Sequence, residues 1–367
     1  MERIKNEPIY LKVHSKTKAM KNAINFLKNI KLKDNVILIF HNDTDGICSA
    51  VLMDTLLDKL NKNERAFISQ PMPTEKTLIK NIQTYMPNKL IFLDLAVDQQ
   101  YNILKILKQA CEILVIDHHQ ITRNLNAVGI AHYNPRFENN EIYRSCSYVT
   151  YKICSQMGLP KNLNWIALLG AIGDYDLAFS QDLINEVKDD YPELNVNEPY
   201  KSIFGRLSDM ITAANVTNSM SYEQIVKVLK NSKNPEGFIS ENEQILKAYQ
   251  DVENEILSIM VDAENNSLTY KNLIIYNLNS KYRLRSQIST RLSEKYRDSV
   301  ILVYEKIKND IKISSRNQSK RVNVAEILSK ATDGLKASSG GHAAAAGATI
   351  KAGDWETFKE RIINLLA

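Results

Sequence analysis

Little in this sequence can be cross-linked or threaded through a bilayer. It has only four cysteines, Cys48, Cys111, Cys146 and Cys154, scattered among apolar neighbours with no CxxC pair. That excludes a disulfide framework and fits buried thiols in a reducing compartment. No apolar run approaches membrane-spanning length, and the opening MERIKNEPIY lacks the apolar core of a secretory signal, so a cytoplasmic protein with no membrane role is expected. Internal repeats and low-complexity segments are absent. With 44% hydrophobic and 24% charged residues, the composition is that of a globular protein without long disorder.

What is present points to two domains, because 367 residues exceed one comfortable core. The formal net charge is only +5, but it is uneven. From Asn266 onward there are 18 Lys and Arg against 9 Asp and Glu, so that part carries +9 and the remainder −4. A basic C-terminal part suits an anionic partner such as nucleic acid.

Hydrophobic periodicity gives an alternation of helices and nearly continuous apolar strands through the first part of the chain. A helix is expected over residues 16–30, strand VILIF (36–40), helix 49–60, strand 65–70 and helix EKTLIKNIQTYM. Strand KLIFLDLA (89–96), helix 99–109, strand EILVIDHH (112–119) and a further strand within 128–135 follow. This is the signature of a parallel α/β sheet. From about Ser145 the pattern turns helical, and Glu241–Asp262 reads as a long connecting helix. Beyond it, strands at 271–278, 299–307 and 310–316, with helices at 284–296 and near 324–332, announce a second, smaller α/β domain. The expected division is residues 1–190, a helical connector 191–265, and 266–367.

Polar residues cluster at the ends of the apolar strands. HNDTDG, with His41, Asp43 and Asp45, follows the first strand; Asp94 follows the third; Asp117, His118 and His119 follow the fourth. In an open parallel sheet these meet in the crevice beyond the carboxyl ends of the strands. Asp174, in GAIGDYD after an apolar helix, adds a further acid, while Asp176 reads as a surface or capping residue. A calcium loop is excluded: with Asp43 and Asp45 at loop positions 3 and 5, Leu52 falls where a bidentate Glu is required. Several carboxylates in one crevice raise one another's pKa unless cations neutralise them. Carboxylate and imidazole ligands without thiolate suit Mn²⁺, with Mg²⁺, Co²⁺ or Fe²⁺ as alternatives. Their number exceeds the needs of one ion, which suggests two ions sharing a carboxylate.

HNDTDG, FLDLA, VIDHHQ and GAIGD resemble, in order and spacing, the four motifs of the DHH phosphoesterase superfamily. SSGGHAAAAGATI resembles the GGHxxAAG signature of its DHHA1 substrate-binding domain. The resemblance implies a parallel-sheet DHH domain joined to a DHHA1 domain. It places His41 and Asp43 on one metal, Asp45, His118 and Asp174 on the other, and Asp94 between them. Asp117 would orient a ligand and His119 would face the scissile phosphate, both as catalytic residues. Gly340, Gly341, His342 and Arg316 would bind substrate, the small Ala343–Ala346 run permitting close helix packing. The implied activity is that of a Mn²⁺-dependent RecJ-like exonuclease on single-stranded DNA or RNA. The alternative is an NrnA-like enzyme for very short oligonucleotides or pAp, and a replication scaffold joined to replication-complex proteins is a third reading.

Overall fold

The computed structural model describes residues 17–60, 65–69, 74–319 and 321–366. The chain divides into two compact units, at Ala248 and Tyr249.

The N-terminal unit is built on five parallel strands: β1 (Val36–Phe40), β2 (Arg65–Ser69), β3 (Lys89–Leu93), β4 (Glu112–Ile116) and β5 (Ala131–Tyr133). Their order is β2-β1-β3-β4-β5. Helices α1 (Lys18–Lys28), α2 (Thr44–Lys59), α3 (Glu75–Tyr85) and α4 (Tyr101–Leu107) alternate with the strands, close to where periodicity puts them. Position 16 and Gln70, at the ends of two expected elements, lie outside the described residues. Because βαβ crossovers cover both faces of a parallel sheet, the interior strand β1, VILIF, is apolar throughout, and β3 and β4 are apolar after their first residue. Ile37, Ile39, Phe92 and Val115 pack with Leu78, Leu104 and Leu107 in one cluster, and the alternating Leu38, Ile91 and Leu114 are equally buried.

A helical layer follows: α5 (Cys146–Ser155), α6 (Asn164–Gly173), α7 (Gln181–Asp190), α8 (Ile203–Thr217), α9 (Tyr222–Asn231), α10 (Pro235–Ser240) and α11 (Glu243–Asn266), within which the division of the units falls. Helix α2 packs against α5, α6 and α9.

The C-terminal unit holds a mixed six-stranded sheet in the order β10-β11-β9-β8-β7-β6. Its elements are β6 (Leu268–Tyr270), β7 (Leu273–Asn277), α12 (Arg285–Lys295), β8 (Val300–Ile307), β9 (Asp310–Arg316), α13 (Val324–Thr332), β10 (Ala337–His342), β11 (Ala345–Lys351) and α14 (Trp355–Leu366). The Ala343–Ala346 run sits at the turn of the β10–β11 hairpin, where Gly341 faces Ala346 and His342 faces Ala345. Its small side chains serve helix packing, as expected: Ala346 packs with Val324, Leu328 and Ala331 of α13, and the Val324 amide donates to Ala343 O at 2.9 Å. They also serve strand approach, since a Cβ at Gly341 would lie 2.5 Å from the Ala345 carbonyl oxygen.

Candidate metal centre

The strand order reverses between β1 and β3, and a parallel sheet opens a crevice at such a switch point. The residue immediately after each of three strands extends the ladder by one bond. The amide of His41 donates to Leu93 O, that of Asp94 to Ile116 O, and that of Asp117 to Tyr133 O. Strand spacing of about 4.8 Å therefore sets His41, Asp94 and Asp117 side by side along one sheet edge.

Asp94 then leaves the strand with φ 60°, a left-handed conformation that side chains other than Asn, Asp or Gly seldom adopt. Its two buried oxygens turn to different imidazoles. Oδ2 lies 3.6 Å from His41 Nδ1, and Oδ1 lies 3.1 Å from His118 Nε2. His41 Nδ1 is also 2.6 Å from Asp43 Oδ2, and His118 Nδ1 is 3.4 Å from Asp174 Oδ2. Asp43 caps α2, accepting the Gly46 amide at 3.0 Å through its other oxygen. Asp45 sits in the first turn of that helix and accepts the Cys146 and Ser147 amides at 2.6 and 2.9 Å, so the start of α5 holds its carboxylate. Ligand atoms of Asp45, His118 and Asp174 gather within 4.8 Å of one another, as do those of His41, Asp43 and Asp94, and those of Asp94, His118 and His119.

The charge in this cluster is unbalanced. Burial first, and then the neighbouring Asp94 charge, push Asp45 up to about 7, and burial raises Asp174 well above the carboxylate range. Burial works against the charged form of His41, yet Asp43 and Asp94 outweigh it and push that imidazole up to about 11. Buried His118 is likewise raised, by Asp174 and Asp94. The protein alone can neutralise the acids only by holding protons. Meanwhile His41 Nδ1, Asp94 Oδ1 and His118 Nδ1 are buried without an aligned hydrogen bond, although other ligand atoms lie within 4 Å. Lone pairs that converge without bonding, in an acid-rich pocket with imidazoles, form a donor set suited to divalent cations.

His119 is partly exposed, with Nδ1 2.7 Å from buried Asp117 Oδ1. The sequence reading missed several supporting groups. The Tyr143 hydroxyl donates to Asp174 Oδ2 at 2.8 Å while its ring centroid lies 5.1 Å from that of His118. Arg136 Nε donates to His118 O, and Asn134 Nδ2 to His119 O, both at 2.9 Å. Tyr222 and Asn215 clamp the loop at Asn42, whose Nδ2 donates to the Tyr222 hydroxyl at 3.1 Å. None of these carries a periodicity or motif; only the Pro135 turn and the Ser145 cap mark their segment. Asp176 is not a surface residue. It is buried and accepts the Ser145 amide at 2.6 Å and the Ser180 hydroxyl at 2.7 Å.

In the C-terminal unit, Arg316 pairs with Ala345 across β9–β11 and Ala345 with His342 across β11–β10, so Arg316 and His342 share one register row. Arg316 Nη2 donates to Ser286 Oγ at 2.9 Å. A shallow cavity of about 290 Å³ opens nearby, lined by Arg285, Lys312, Ser338, Ser339 and Gly340.

Residues 35–173 match the model described as DHH family, N-terminal domain, and residues 271–367 match the DHHA1 domain. The chain belongs to the DHH/DHHA1 superfamily, and DHH-family members are phosphoesterase hydrolases. No curated protein matches it by sequence. Among solved structures, RecJ in complex with Mn²⁺ from Thermus thermophilus aligns with a TM-score of 0.74 at 13% identity, over 95% of this chain and 54% of that one. The chain thus spans about half the length of that RecJ. An exonuclease RecJ bound to manganese aligns at 0.71 and 13% identity, covering 95% and 94%. CDC45 from Entamoeba histolytica aligns at 0.57 and 10% identity, covering 94% and 97%. At these identities the likeness is one of fold. Among the described residues no helix is long and apolar enough to cross a membrane.

Proposed function

We propose that this protein is a Mn²⁺-dependent phosphodiesterase that removes nucleotides from single-stranded DNA or RNA, with Mg²⁺ or Co²⁺ as alternative ions. One observation carries the reading: the two oxygens of Asp94 face His41 and His118 separately, so a single carboxylate serves two ligand groups. His41 and Asp43 would hold one cation and Asp45, His118 and Asp174 the other, with Asp94 shared between the two groups. Bound there, divalent cations would supply Lewis acidity to lower the pKa of a water and to neutralise charge developing on phosphoryl oxygens.

The chain's own side chains do the rest. Asp117 accepts from His119 Nδ1 and fixes the ring; burial opposes the imidazolium, but Asp117 outweighs it and raises its pKa, so the protonated ring carries an Nε2–H that can donate to a phosphoryl oxygen. Tyr143 and the α5 amides fix the Asp174 and Asp45 carboxylates, so the ligands keep their geometry when substrate arrives. Arg316 and the backbone amides at Gly340 and Gly341, with His342, bind the nucleic-acid backbone. RecJ structures that share the fold were determined with manganese or with magnesium, which supports a divalent cation at this centre.

Asp94→Ala tests the reading. The variant should lose hydrolysis of end-labelled oligonucleotides with Mn²⁺ while keeping its far-UV circular dichroism, because Asp94 lies at the sheet edge and the substitution leaves the apolar core intact. Near-wild-type turnover in this variant would remove the two-cation assignment.

A further inference from the structure

The exposed aromatic residues of the N-terminal unit include two that pair just beyond the candidate metal centre and a third in the same loop. Tyr175, next in the chain after Asp174, is 62% exposed; Phe179 in the same loop and Tyr200 are each 43% exposed. The rings of Tyr175 and Tyr200 lie with centroids 5.5 Å apart and planes tilted by 35°. Large aromatic surface is ordinarily buried, so a paired, solvent-facing set beside a reactive centre calls for a reason.

The backbone adds a second, independent observation. Tyr175 has φ 55°, a left-handed conformation at the end of α6 where Asn or Gly fits without strain and a ring-bearing residue does not. The position is pinned from both sides. The Asp174 amide donates to Gly170 O at 2.9 Å, the Asp176 amide to Ala171 O at 2.8 Å, and the buried Asp176 carboxylate is held by Ser145 and Ser180. Tyr200 is fixed as well. It follows Pro199 in a short turn, and its carbonyl lies so close to Gly205 that a Cβ there would sit 1.9 Å from it. Its ring contact with Tyr175, the chain neighbour of Asp174, sets the pair beside the candidate metal centre. Strain retained at an exposed, rigidly held ring is the mark of a functional position.

We propose that Tyr175 and Tyr200 form a base-stacking platform for a single-stranded nucleic acid whose phosphate lies at the adjacent metal centre. The proposal rests on the phosphodiesterase reading of that centre. Every base has a π face, so such a platform grips a strand without regard to sequence and orients the nucleotide flanking the scissile bond. The exposed ring of Tyr175 accepts the base, and Tyr200 backs it.

The test uses the full chain with Ca²⁺ in place of Mn²⁺ to block cleavage. The probes are a fluorescein-labelled pentanucleotide and a pentamer of the same length with abasic tetrahydrofuran units. Tyr175→Asn and Tyr200→Leu should each weaken pentanucleotide binding about 10-fold, within the range for loss of one base–aromatic stack. Binding of the abasic strand should stay unchanged. Tyr175→Trp, which keeps a ring, should bind at least as well as the wild type. Tyr175→Asn should also melt no lower than the wild type, since Asn accepts the left-handed backbone; a ring kept only for packing would instead give a lower melting temperature. Wild-type pentanucleotide affinity in Tyr175→Asn and Tyr200→Leu, or equal loss on the abasic strand, would overturn the platform while leaving Mn²⁺-driven cleavage by the wild type in place. No cleavage of any oligonucleotide by the wild type would overturn the phosphodiesterase reading, and the platform with it.

Discussion

Gly46 sits in the first turn of α2 with no room for a methyl group: a Cβ there would lie 2.2 Å from the carbonyl oxygen of His41. The contact is with backbone, which cannot swing aside as a flexible side chain does. The glycine therefore lets the chain fold back so that His41, Asp43 and Asp45 converge within five residues. In Gly46→Ala the His41 carbonyl must shift, and with it the geometry of the first ligand group. The expected cost in stability is about 1–3 kcal/mol, typical of overpacking, so most of the protein stays folded. Its Mn²⁺ affinity and turnover should both fall steeply, as read by Mn²⁺ titration calorimetry and oligonucleotide cleavage. Wild-type turnover in Gly46→Ala would show that the tight return at His41 is not needed for the centre. The same local logic explains why Asp176 is misjudged from sequence. Two acids two positions apart look alike on paper, and only the return of Ser145 and Ser180 to Asp176 separates the buried anchor from its neighbour.

At the level of elements, legibility followed how much of the pattern is local. Continuous apolar runs such as VILIF and EILVI announced β1 and β4, and the polar residues that stop them announced the sheet edge, so the candidate ligand residues could be named before any geometry. Strands β10 and β11 were not legible. Ala337–His342 consists of Ala, Ser, Gly and His, poor strand formers, and it becomes a strand only because β11 pairs with β9 in the folded unit. The turn before β1 offers a pH prediction. Buried Asp34 accepts the Lys31 amide and Asn88 Nδ2, each at 2.8 Å, with Lys89 Nζ at 3.9 Å. Burial alone would raise its pKa, but these partners outweigh it and hold the carboxyl below its ordinary 3.8. A depressed acid stabilises the fold above the unfolded-state pKa, and that contribution fades as pH falls through the folded value. Asp34→Asn should therefore be less stable than the wild type at pH 7, by about 1 kcal/mol for a hydrogen-bond set of this kind, with the gap narrowing by pH 3.5. Urea unfolding followed by fluorescence at the two pH values checks this; a gap that widens at low pH would contradict it.

Across the whole molecule the charge is divided: the residues from Asn266 onward carry 18 Lys and Arg against 9 Asp and Glu. The candidate metal centre belongs to the N-terminal unit and the positive surplus to the C-terminal one, so the two can be tested apart. Counterion release makes binding of a long strand fall with salt, by about 0.7 in log–log slope for each phosphate neutralised on single strands. A protein that holds one or two phosphates shows a shallow slope whatever the length of the oligomer. Binding of a 30-mer, with Ca²⁺ blocking cleavage, should thus weaken steeply as salt is added, and binding of a 3-mer much less. Neutral substitutions of Lys and Arg in the C-terminal unit, Lys312 and Arg321 among them, should flatten the 30-mer slope and leave 3-mer cleavage by Mn²⁺ untouched. Those substitutions leave the N-terminal ligand set intact, so a fall in 3-mer cleavage would mean that the basic unit takes part in the reaction itself. Equal, shallow slopes for both lengths would instead assign the enzyme to very short oligonucleotides, because a strand-tracking exonuclease must hold many phosphates at once.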